Sequence, residues 1–154
     1  MEFLMTYGWA ILVVLAAIGA LAYFGVLSPG NLLPEKTTFK APFLNTESAV
    51  VNLDNSDNIV IQVPFTNSQG STVTISESEG MNVTGDCADA TSIVLDAEPN
   101  QPGNGEEFIL TWTCNGAGSD MSSGDKFKGD LSFQYQTQSG LNRTHSGSVI
   151  GKIQ

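Results

Sequence analysis

Basic residues are scarce in this chain and none occurs before Lys36: 154 residues carry 6 Lys and Arg against 16 Asp and Glu, a formal charge of −10. A surface this acidic repels phosphate at a distance, so nucleic acid is not expected as a partner. Histidine occurs once, as His145, and cysteine twice, as Cys87 and Cys114, with no CxxC pair. Those are too few soft ligands for a zinc-type site. There is no Gly-rich phosphate loop, and no Ser or Cys stands in a recognisable nucleophile context. Glu106 and Glu107 are adjacent in a strand-like stretch and so point to opposite faces, which is wrong for a shared carboxylate site. Neither catalysis nor a cofactor is expected, and no internal repeat is visible.

A longer absence lies at the start. From Phe3 to Pro34 no acidic or basic side chain occurs in thirty-two positions. Up to Leu27 the residues are mostly aliphatic, glycine or aromatic, so a helix made from them is apolar on every face and needs burial all round. At 1.5 Å per residue, residues 2 to 27 give a rod of roughly 39 Å, enough to cross a bilayer or to fill the centre of a helical assembly. A cleaved signal peptide would show a basic flank and a shorter apolar stretch. A simple anchor would carry Lys or Arg on its cytoplasmic side. Here the sole charges at that end are Glu2 and the α-amino group.

The opening Met1-Glu2-Phe3-Leu4-Met5-Thr6-Tyr7-Gly8-Trp9-Ala10-Ile11-Leu12-Val13 resembles the mature start of archaeal type IV pilins. In that family the apolar helix follows a short basic leader removed by a prepilin peptidase. The resemblance covers about the first 27 residues. The family pattern has an acid at the fifth mature position, whereas Glu2 is second, so either the mature start lies about three residues ahead of Met1, the favoured expectation, or this chain departs from the pattern. The resemblance implies a subunit of an extracellular filament, held in the cytoplasmic membrane before assembly and inserted by a membrane platform with an assembly ATPase.

The helix has its own chemistry for such a role. A carboxylate among apolar helices is costly unless paired, and the nearest cation in a bundle is a neighbour's α-amino group, so Glu2 could set the axial register of one subunit on the next. The alternative is a solvated first-turn acid favoured by the helix dipole. Ala16, Gly19 and Ala20 share one face at i, i+3 and i+4 and would let helices approach closely; a lone anchor of ordinary Ala content is the plainer reading. Glu2, Phe3, Ala16, Gly19 and Ala20 are therefore the candidate polymerisation residues. Tyr7, Trp9, Tyr23 and Phe24 fit interfacial belts or subunit packing equally well.

Ser28-Pro29-Gly30 and Pro34 break the helix, so residues 28–36 read as a hinge. From Thr37 the pattern alternates with period two. Ile59, Ile61, Val63 and Phe65 share one face, as do Phe108, Leu110, Trp112 and Cys114, and Leu131, Phe133 and Tyr135. Shorter candidates are Phe39 to Phe43, Ala49 to Leu53, Thr72 to Ile75, Ser92 to Leu95 and Val149 to Ile153. Polar clusters separate them, with a long loop over Asn115 to Asp125. This argues an antiparallel sandwich head over 37–154. The expected class is α+β: a long hydrophobic helix over 1–27 followed by an Ig-like β-sandwich.

Cys114 shares a face with Trp112, and in an exported head a disulfide to Cys87 is the natural reading; two buried free thiols are the alternative. Asn82-Val83-Thr84 and Asn142-Arg143-Thr144 are N-glycosylation sequons, a number that composition alone would supply. Asp54-Asn55-Ser56-Asp57-Asn58 offers alternating oxygens for calcium, but lacks the glycine and distal Glu of an EF-hand loop, and an Asx-rich turn explains it better.

Beside these features the resemblance implies an adhesive homopolymeric pilin at the cell surface, with surface glycans as an expected partner class and no cofactor. Rival readings are an archaellin of a swimming filament and a monomeric membrane-anchored adhesion or receptor module.

Overall fold

The computed structural model describes residues 2–23, 34–77 and 81–154, with the side chains of the helix described from Tyr7 onward. The chain divides into two compact units, Met1–Leu33 and Pro34–Gln154. Among the described residues the first contains one helix, α1 (Glu2–Tyr23). The second contains ten described strands: β1 (Lys36–Phe39), β2 (Phe43–Asn45), β3 (Val50–Leu53), β4 (Ile59–Asn67), β5 (Val73–Ser76), β6 (Asn82–Val83), β7 (Ser92–Glu98), β8 (Glu107–Asn115), β9 (Lys126–Thr137) and β10 (Asn142–Lys152).

The strands form two five-stranded antiparallel sheets, β1-β10-β9-β5 with β6 also on β9, and β2-β4-β8-β7 with β3 also on β4. Two short strands thus share one edge of each sheet. Alternation explains why the sheets face each other. In β4 the residues Ile59, Ile61, Val63, Phe65 and Asn67 are buried while their neighbours reach solvent, and β8 and β9 repeat the device. Period two puts one side chain in two on the inner face, which fits sheets packed about 10 Å apart.

The core is aromatic. Phe43 lies 4.7 Å from Tyr135, 5.5 Å from Phe133 and 5.7 Å from Phe108 by ring centroids, and Phe39 meets Phe65 edge to face at 4.7 Å. Such edge contacts add to area burial. Gly147 stands opposite Phe39 in the β1–β10 register, and the Phe39 ring occupies the space its Cβ would need. One strand therefore supplies the bulk that its neighbour lacks.

Two covalent or backbone devices join the sheets. The Cys87–Cys114 disulfide is present, with Cα atoms 5.8 Å apart. Cys114 is on β8, whereas Cys87 ends a 3-10 turn (Gly85–Cys87) anchored to β9, where Asp86 Oδ2 accepts from the Lys128 backbone N–H at 2.6 Å. Gly85 has φ +81, and a side chain there would run into the backbone of Lys128 and Gly129, so glycine is required. At the other seam, Ile153 forms a parallel bridge to Val51 and the Gln154 N–H donates to the Val51 carbonyl at 2.9 Å.

The expected α+β class is corrected by this arrangement. Among the described residues the protein is mainly β: one α-helix accompanies two antiparallel sheets, and the buried core of the second unit runs from Phe39 to Ile153. The expected membrane-crossing helix over 1–27 is corrected as well. Among the described residues no helix is long and apolar enough to cross a membrane. Residues 24–33, which hold most of the expected hinge, lie outside the described residues, as do the side chains of Glu2 and Phe3. The single strand expected over Phe39 to Phe43 is two strands belonging to different sheets, with Pro42, which has no N–H to give a ladder, between them.

Candidate interaction surfaces

Within its own unit the apolar side chains of α1 are exposed on all sides. Relative exposure of its large hydrophobic residues runs from 47 % at Leu21 to 88 % at Tyr23. Tyr7, Ala10, Ile11, Val14 and Leu15 frame a shallow groove with no polar surface. The expected small-residue face is open too: Ala16 and Ala20 are exposed, and a Cβ at Gly19 would meet nothing within 4 Å.

The outer faces of the two sheets differ in charge. Strand register sets Lys36 beside Ile150 and Ile150 beside Lys128, and pairs Lys152 with Lys126. Lys40 follows on the same side, lining a cleft of about 410 Å³ with Thr38, Asp130, Ser146 and Ser148. A neighbouring cleft of about 480 Å³ shares Asp130 and Ser148 and is lined also by Lys128, Asp86 and Ile150. Five of the chain's six basic residues therefore lie on one face, among small hydroxyl side chains. The sixth, Arg143, is at the other end of the sheet, in a shallow cleft with Gln69, Thr137 and Leu141.

The other outer face carries no Lys or Arg on any of its five strands. Its acids are Asp96, Glu98 and Glu107, and Glu98 pairs with Ile109, which pairs with Pro64. Leu44, Val50, Val94 and Ile109 are exposed there at 37–51 %.

The remaining sequence candidates fall in separate places. Asn82 and Asn142 are both exposed, on β6 and at the start of β10. Each opens onto the lysine-bearing sheet: Asn82 pairs with Ser132, and Asn142 Oδ1 accepts from Gln136 Nε2 at 3.2 Å. At the calcium candidate, Asp54 accepts from the Ser56 N–H at 2.7 Å, the Asn58 N–H at 3.0 Å and Asn58 Nδ2 at 2.8 Å. Its carboxylate is thus occupied by its own turn, and the Asn58 and Ser56 hydrogen bonds hold its pKa below the usual value. Among the described residues no three His, Cys, Asp or Glu side chains are grouped to hold a metal ion.

Two buried polar residues escaped the sequence reading. Asn67 is fully buried, and its Nδ2 donates to the carbonyls of Ser71, Pro102 and Gly103 at 2.9–3.1 Å while its Oδ1 accepts from the Gln69 N–H at 2.9 Å. It ties two loops at one end of the sandwich. His145 lies among Phe39, Phe43 and Phe133, and its Nε2 has no hydrogen-bond partner. Burial lowers its pKa, against a smaller raising effect of a hydrogen bond with the Phe43 backbone. Asn67 continues the alternation of its strand, which is the signal that marks it as inward.

No family model matches the chain, and no solved structure matches it. It is similar to a curated protein of Plasmopara viticola, Secreted RxLR effector protein 90, at 30 % identity over 146 residues, covering 90 % of this chain and 48 % of the relative. The chain thus spans about half the length of the curated relative it matches.

Proposed function

We propose that this chain is the structural subunit of an extracellular homopolymer of the type IV pilin kind, held together by α1 and displaying the sandwich as its head. The observation that carries the reading is the all-round apolar helix beside a head that completes its own core. A helix apolar on every side must be covered, and identical helices cover one another without any polar group left unpaired. Ala16, Gly19 and Ala20 offer the close approach this needs. The amino-terminal resemblance to archaeal pilins supports the reading, and with it delivery of subunits by a membrane platform and ATPase. An extracellular location is further supported by the disulfide, which persists in oxidising compartments, and by the relative described as secreted. The head would then meet surfaces or cells, with Asn82 and Asn142 as the positions where glycans would stand.

Negative-stain electron microscopy of the purified full chain tests this. The expected result is fibres of uniform width that disappear when Val14 and Ile18 are replaced by lysine, while the head keeps its unfolding midpoint. Wild-type protein that stays monomeric at every concentration overturns the reading. That result would favour a secreted protein acting singly, the role nearest to the printed description of the relative.

A further inference from the structure

We infer that the two outer faces of the sandwich are complementary halves of one contact, the lysine-bearing β1-β10-β9 face of one subunit docking on the acidic, partly apolar β4-β8-β7 face of the next copy. The inference rests on the polymeric reading above and adds to it a second interface, between heads.

Three separated stretches of chain, at Lys36 and Lys40, at Lys126 and Lys128, and at Lys152, are brought to one face by register alone. They stand against two acids there, Asp86 and Asp130. The opposite face has Asp96, Glu98 and Glu107 and no cation on its strands. In a chain of net charge −10, gathering almost all the cations on one face leaves the other free to attract it. Leu44, Val50, Val94 and Ile109 stand where a wet sheet face ordinarily carries polar residues, and Ile150 answers them across the contact from between Lys36 and Lys128.

Charge also fixes the symmetry. A two-fold contact would set lysines against lysines or acids against acids. Only the heterologous arrangement, one face on the other, pairs opposite signs, and repeated it gives an open chain of heads. Size fixes its strength. Three inter-strand spacings by eight residues cover roughly 400 Å² on each partner, about half of what a stable complex uses. Such a contact is weak between free subunits and becomes effective when the helices hold the heads at millimolar effective concentration. Both sequons open onto the basic face, so protein from a host without N-glycosylation keeps that face clear.

Two charge-reversed full chains test the inference, one carrying Lys36→Glu, Lys128→Glu and Lys152→Glu, the other Asp96→Lys, Glu98→Lys and Glu107→Lys. Light scattering and electron microscopy would read the concentration at which assembly begins. Each variant alone is expected to need about tenfold more protein than wild type. An equimolar mixture, in which every contact again joins opposite charges, is expected to assemble as wild type does, and 0.5 M NaCl to weaken wild type and mixture alike. Should either reversal misfold, the corresponding Lys→Gln or Asp→Asn and Glu→Gln set reads the same loss at smaller size. Variants that assemble like wild type, or a mixture no better than its parts, overturn the head contact and leave the helix reading intact. Wild type that never assembles overturns both. Loss of binding to phosphatidylserine vesicles by the lysine variant, with assembly unchanged, would assign the face to anionic lipid and overturn the inference.

Discussion

The helix and the sandwich use the same kind of residue to opposite ends. In the sandwich, Phe43, Phe65, Phe108, Trp112 and Phe133 are buried against one another by the chain's own fold. On α1, Trp9, Leu12 and Leu15 are exposed. Hydrophobic burial stabilises at about 25 cal/mol per Å² wherever it happens, so the sandwich realises that energy within its own unit, and under the proposed reading the helix realises it against copies of itself. Under the proposed polymeric reading, stability and assembly are therefore separable properties, set by different residues.

The sharpest way to break this comparison is to remove the same kind of group from each part. Phe133→Ala should cost about 4 kcal/mol in denaturant unfolding, because Phe133 touches Phe43, Phe65, Trp112 and Tyr135. Leu15→Ala should leave that midpoint within about 0.5 kcal/mol while raising the concentration needed for assembly. A large loss of head stability from Leu15→Ala would show that the two parts are not independent. Next in size, Cys87→Ala with Cys114→Ala should destabilise by about 3 kcal/mol on chain-entropy grounds for a sequence separation of 27, and the wild type should lose the same on reduction. Asn67→Ala should cost about 2 kcal/mol, since it takes the Asn67 donor from the carbonyls of Ser71, Pro102 and Gly103 and the acceptor from the Gln69 N–H; Asn67→Asp, which loses the donor, should be no better.

The smallest effect concerns pH. Burial lowers the folded-state pKa of His145 below 6.5, so the unfolded chain takes up a proton first as pH falls. Its contribution is full above the unfolded value and is lost as pH drops through 6.5 toward the folded pKa, at no more than about 1.4 kcal/mol per pH unit. His145→Phe, filling the same ring cluster, should flatten the dependence of unfolding free energy between pH 7.5 and 5. Equal slopes in the two proteins would remove His145 as the source.

Alternation makes β4, β8 and β9 legible in the sequence, because most of their inward residues are large and apolar. Much of β10 was hidden for the converse reason. Its inward positions include His145 and Gly147, and the bulk at Gly147 comes from Phe39 on a different strand. No window along one segment contains that compensation. The helix was legible as a surface needing a cover, although its class assignment overstated it, since a sandwich with a single appended helix is a mainly β protein. The charge division was not legible. Lys36, Lys128 and Lys152 become neighbours only through pairings of β1 with β10 and β10 with β9, which composition cannot disclose.

The pairing of the first strand with the last has a consequence for biosynthesis. Lys36–Phe39 waits for Gly147–Ile150, so during translation, at about 5–20 residues per second, one sheet stays incomplete for several seconds after its earliest strand emerges. The strands of the other sheet are all made by Asn115, with only the Val51–Ile153 bridge to follow. Unpaired strand edges would thus persist chiefly in the lysine-bearing half, for the interval before Gly147–Ile150 arrives.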